Sequence, residues 1–129
     1  MGVRIKITLN DKVILKGELL DTPAAEAIKA CIPFKIRFNR WGKELYGVLD
    51  KEVVDFSDKE QDVMDIGDVA FHKESKWFCI FWGPTPCSVG DNKPKAAVPV
   101  CKIGNVSGDW GAVEELAEPV DGVVEIDQD

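Results

Sequence analysis

Trp77-Phe78-Cys79-Ile80-Phe81-Trp82, followed at once by Gly83-Pro84-Thr85-Pro86, is the only strongly apolar run in the chain. Successive side chains of a strand point to opposite faces, so a strand apolar at every position must be covered on both. That requirement predicts a barrel wall lying under a helix. The Gly-Pro-Thr-Pro segment stops the strand abruptly.

Working outward, Ile66-Gly67-Asp68-Val69-Ala70-Phe71 leads into this strand through Lys73-Glu74-Ser75. Downstream, Ala96 to Val106 reads as a further strand, with Pro99 near its start where a missing donor is tolerated. Phe34 to Phe38 and Leu45 to Leu49 alternate on either side of a break at Trp41-Gly42. Val3, Ile5, Ile7 and Leu9, the Asn10-Asp11 turn, and Val13, Leu15 and Gly17 form an opening hairpin, and Val120 to Ile126 a final strand. Residues 50–65 carry many charges around Val53, Val54 and Phe56, which marks a surface connection with room for an edge strand. Thr22 and Pro23 begin a short helix whose apolar stripe is Ala27, Ile28 and Cys31, and Asp109 caps a brief second helix through Leu116. The fold expected is mainly β, a closed barrel of about eight strands with one or two short helices.

The chain has 129 residues, 45% of them hydrophobic, which suits one domain with one core, spanning 1–129. Lys, Asp or Glu interrupts every apolar run, so no membrane span is expected, and Met1 to Lys6 lacks the apolar core of a signal peptide. A cytoplasmic protein is the expectation. The net charge of −7 argues against extended nucleic-acid contact. Lys29, Lys35, Arg37, Arg40 and Lys43 form a local basic cluster; Lys35 and Arg37 alternate with apolar residues as solvated strand positions do. Cys31, Cys79, Cys87 and Cys101 show no C-x-x-C spacing and His72 is the single histidine, so buried thiols, no metal and no cofactor are expected.

Phe38-Asn39-Arg40-Trp41-Gly42-Lys43-Glu44-Leu45-Tyr46, then Ile66-Gly67-Asp68-Val69-Ala70, then Phe81-Trp82-Gly83-Pro84-Thr85-Pro86 resemble, in order, the small prokaryotic cyclophilin-like family of uncharacterised proteins. The resemblance covers essentially the whole chain and implies a reduced cyclophilin barrel. True cyclophilins carry a Phe-His-Arg signature and a Gln-Gly-Gly-Asp segment, and neither stands here at a matching place. Phe71-His72-Lys73 is similar but out of order. Prolyl isomerisation must lower an amide barrier of about 18–20 kcal/mol, which calls for a guanidinium near the prolyl nitrogen beside an aromatic floor. Arg37 and Arg40 are the arginines nearest the motifs.

Two segments are candidate ligand-binding walls. Asn39, Trp41, Glu44 and Tyr46 form the first, with Trp41 as an apolar wall, Glu44 as acceptor or base and Tyr46 as donor; the two-residue period puts Glu44 and Tyr46 on one face. Phe81, Trp82, Pro84, Thr85 and Pro86 form the second, an apolar shelf with one hydroxyl, in which Gly83-Pro84 and Thr85-Pro86 are candidates for cis bonds. Asp65 and Asp68 read as a turn before a strand. The expected function is a peptide or small-molecule binding module with no assigned catalytic residue. A weak prolyl isomerase is the alternative, and a hydrolase or metal-dependent enzyme built on Glu44, Asp68, His72 and Cys79 a further one.

Overall fold

A computed structural model describes residues 2–90 and 93–128. Its strands are β1 (Val3–Leu9), β2 (Val13–Leu19), β3 (Phe34–Arg40), β4 (Glu44–Val48), β5 (Gln61–Val63), β6 (Asp68–His72), β7 (Trp77–Phe81), β8 (Lys95–Ser107) and β9 (Val120–Ile126). The helices are α1 (Pro23–Lys29) and α2 (Trp110–Glu114). The sheet order β2-β1-β9-β3-β4-β7-β6-β8 closes on itself through a β2–β8 pairing, so eight antiparallel strands form a barrel and β5 is added outside it on β8.

The alternation seen in sequence sorts side chains across the wall. Ile5, Ile7, Leu15, Ile36, Phe38, Leu45, Phe71, Phe78 and Ile80 point inward and are buried in one cluster. Phe78 anchors it, edge-on to Phe34 with ring centres 5.4 Å apart. Both helices close barrel ends, and their caps hold them there. Thr22 accepts from the Ala25 N–H and Pro23 occupies the first turn of α1; Asp109 accepts from the Ala112 N–H in α2. Lys51, just beyond β4, bonds the Cys31 carbonyl at the α1 end, whereas Arg40 and Lys43, at the other end of the β3–β4 pair, hold Glu114 of α2. α2 stops at Glu114, short of Leu116. Among the described residues no helix is long and apolar enough to cross a membrane.

The β7 run is covered on its outer face by strands, where a helix was expected. β8 is 13 residues long, and its two halves do different work. Val69 to Phe71 pair with Gly104 to Cys101, and Lys16 to Leu19 with Ser107 to Gly104, so the second half is barrel wall. The first half, from Lys95 to Val100, leaves the wall, pairs with β5, and lies over the outside of β7. Ala96, Val100 and Met64 thereby bury Ala70, Cys79 and Phe81 in a second, outer cluster. A helix has no place there because both short helices are spent on the barrel ends.

The turn before β6 is held by its own carboxylate. Asp68 is fully buried, accepts from the Asp65 N–H at 2.8 Å and from Asn105 Nδ2 at 3.2 Å, and pairs with Lys102 at 3.3 Å. This is the turn role read from the sequence. The cis peptide bonds fall at Ile32-Pro33 and Glu118-Pro119 instead of at Pro84 or Pro86.

Candidate functional site

The register of β4 on β7 builds the site. Glu44 lies opposite Phe81, Tyr46 opposite Cys79 and Val48 opposite Trp77, so the positions between them, Leu45 and Ile80, face the barrel interior. Glu44, Tyr46, Trp77 and Cys79 therefore face outward together. With Trp41 from the β3–β4 turn and Ala96, Ala97, Val98 and Val100 from the β8 arm they enclose a cup of about 250 Å³. Tyr46 and Trp77 meet at 6.1 Å between ring centres with their planes at 68°, which makes an aromatic corner. The His72 ring packs on Trp77 with centres 5.4 Å apart and planes tilted by 32°.

The turn that positions Trp41 is tied to the Gly83-Pro84-Thr85-Pro86 exit. Gly42 has φ +61°, and a Cβ there would stand 2.8 Å from Pro86 Cδ and 2.9 Å from Thr85 Cα. Only glycine meets both conditions without strain. The Lys43 N–H donates to the Pro84 carbonyl at 3.0 Å and the Trp82 N–H to the Lys43 carbonyl at 3.0 Å. The two segments singled out in the sequence are thus neighbours, but they face different surroundings.

Glu44 is the electrostatic centre of the cup. Only 5% of it is exposed, and its Oε1 has no hydrogen-bond partner among the described residues. Burial pushes its carboxyl up to about 7, against a smaller opposing effect from the Cys79 thiol, which hydrogen-bonds the carboxylate. Cys79 is pushed well above the usual thiol range by its own burial first and by Glu44 second. A buried thiol of that kind is a poor nucleophile. The cup is thus an apolar, aromatic-walled hollow with one carboxyl poised near neutrality.

The other sequence candidates lie elsewhere. Asn39 is exposed, opposite Tyr46 on β3. Phe81 is fully buried in the outer cluster. Trp82 turns into the barrel, stacked on Trp110 at 6.0 Å with the planes 2° apart, and the Arg40 guanidinium lies 5.5 Å from the centre of its ring. Pro84 and Pro86 are exposed. Thr85 is buried and its hydroxyl bonds the Lys95 carbonyl and the Cys87 N–H, pinning the foot of the β8 arm. Thr85→Val keeps the shape and leaves both partners unpaired, so we expect a loss of about 1–2 kcal/mol in urea unfolding. An unchanged midpoint would show that the hydroxyl holds nothing in place.

Neither arginine lines the cup. Arg37 pairs with Asp121 at 3.2 Å; Arg40 donates to the Gly42 carbonyl at 2.8 Å and the Glu114 carbonyl at 3.0 Å. The Glu114 carboxyl is held below its ordinary range, mainly by Lys43. Of the residues considered for metal or hydrolytic chemistry, Glu44 and Cys79 share the cup, while Asp68 and His72 stand at opposite ends of β6. Trp77 and the β8 arm were not singled out in the sequence. The alternation of β7 carries a signal for Trp77, since it shares a face with Cys79; the arm carries none.

A family model described as "Cyclophilin-like" matches residues 3–125. The solution structure of a hypothetical protein from Archaeoglobus fulgidus is similar with a TM-score of 0.74 and 28% sequence identity, over 98% of this chain and 95% of that one. No curated protein matches.

Proposed function

Since the chain belongs to the cyclophilin-like family, we propose that it uses this barrel as a binding module, taking a small molecule or a single peptide side chain into the cup on its outer wall. The observation that carries this reading is Glu44: a buried carboxyl with an unpartnered oxygen in an otherwise apolar hollow costs stability unless something fills the hollow and meets it. The volume of about 250 Å³ lies just below the roughly 300–1,000 Å³ of pockets for drug-sized ligands, so one ring or one branched group fits. A cytoplasmic setting belongs to the same proposal and is supported by four cysteines present as free thiols. Isomerase chemistry is the weaker reading, because Arg37 and Arg40 are held by partners outside the cup.

The tryptophans supply the test. Trp41 and Trp77 line the cup, whereas Trp82 stacks on Trp110 of α2 at the barrel end, away from it. Titration with a fragment pool and with proline-containing peptides should shift the indole N–H signals of the first pair and leave the second in place. Trp41→Ala should weaken any such ligand by about tenfold or more, as expected when an aromatic anchor is removed. Ligands that moved only signals remote from the cup would end this reading.

A further inference from the structure

Building on that binding reading, we propose that the ligand group is an alkylated ammonium, its methyl shell packed against Trp41, Tyr46 and Trp77 and its charge met by Glu44. Two features of the cup and the charge of the whole chain select this chemistry over other small groups. Aromatic rings carry negative potential on their faces and attract cations whose charge is spread over apolar methyls, and three aromatic side chains, Trp41, Tyr46 and Trp77, line the cup, the last two set edge-to-face at 68°. The one acidic group in the lining lacks a partner at Oε1, and among the described residues no lysine or arginine lines the cup to supply one. A net charge of −7 draws cations and repels anionic ligands.

The groups facing Glu44 are few. Cys79 on β7 and Tyr46 on β4 are the titratable ones; the β8 arm contributes Ala96, Ala97, Val98 and Val100, and the Lys43 ammonium is turned away onto Glu114 at 3.0 Å. The Cys79 thiol offers the carboxylate one hydrogen bond and, among the described residues, no cation lines the cup to balance its charge, so a bound cation favours the deprotonated form. Binding and loss of the Glu44 proton are therefore coupled. With that carboxyl near 7 in the empty cup, the fraction ready to meet a cation falls about 30-fold between pH 8 and pH 5.5, and apparent affinity should fall with it.

Choline and its uncharged isostere 3,3-dimethylbutan-1-ol separate charge from shape. Titrated by NMR at pH 8, choline should shift the Trp41 and Trp77 indoles and bind at least about tenfold tighter than the isostere. Glu44→Gln should remove that advantage and the pH dependence while leaving the isostere unaffected, with unmoved Trp82 and Trp110 signals confirming an intact barrel. Equal binding of the two compounds, or choline affinity indifferent to Glu44→Gln, overturns the ammonium assignment and leaves the cup as a ligand site. If neither compound moves Trp41 or Trp77, the assignment also falls, and the binding reading falls with it only where the fragment pool fails as well.

Discussion

Glu44→Gln should make the protein more stable at pH 8, by up to about 3 kcal/mol, and no more than marginally different at pH 4. The carboxyl titrates from 4.5 in the unfolded chain to about 7 in the folded one because burial disfavours its charge. The folded state therefore holds the proton more tightly. Below pH 4.5 both states are protonated and Glu44 costs little. Between pH 4.5 and pH 7 the unfolded chain gains from ionising while the folded chain does not, so stability falls as pH rises. Above about pH 7.5 the penalty is complete and flat. Glutamine has the same shape without the titration, so the difference between variant and parent should trace that curve while the rest of the charge cancels. Urea unfolding at pH 4, 5.5 and 8 measures it, and parallel pH profiles for the two proteins would show that Glu44 is not buried as a charge. A residue whose replacement stabilises the fold contributes something other than stability, which ties this prediction to the cup.

The second large effect belongs to the seam that closes the barrel. Gly17 on β2 faces Asn105 and Val106 on β8 so closely that a Cβ would stand 1.9 Å from the Asn105 carbonyl oxygen. Across the same seam a Cβ on Gly104 would stand 2.4 Å from the Glu18 carbonyl oxygen. These are backbone atoms and cannot rotate aside. Gly17→Val must push β2 away from β8, breaking the pairing of Lys16 to Leu19 with Ser107 to Gly104. We expect a loss of more than about 3 kcal/mol, seen as a large drop in urea midpoint or as failure to fold. Gly111→Ala, where the nearest atom is Asp109 Oδ1 at 3.3 Å on an exposed helix, should change stability by less than about 1 kcal/mol. Matching effects at the two glycines would mean that the seam is not closed as described.

How much could be read beforehand depends on the range of the interaction. The opening hairpin and the last strand are local: strict alternation writes β1 and β2, and Val120 to Ile126 coincides with β9. Thr22, Pro23 and Asp109 mark the helices because capping is a matter of neighbouring residues. The same two-residue period puts Glu44 and Tyr46 on one face; it also separates Trp82, which falls inward with Phe78 and Ile80, from Phe81, whereas the sequence reading set both on one wall. The cover over the outside of β7 was illegible. Lys95 to Val100 shows no pattern that separates an arm from ordinary wall, and its partner β5 is three residues within a charged connection. Glu44 announced a polar group near Trp41, but the arm that joins Trp41, Tyr46 and Trp77 around it was not legible.

The division of β8 also sets a hierarchy of local openings. Its second half is bonded on both edges, to β6 and β2, whereas its first half has one short partner, β5, with an irregular register. Native-state hydrogen exchange should therefore show two regimes along one strand: slow, globally limited exchange from Cys101 to Val106, and faster, sub-global exchange from Ala96 to Val100. Two such regimes would mean that the roof of the cup lifts on its own while the barrel stays shut, giving a ligand a route in that does not require unfolding.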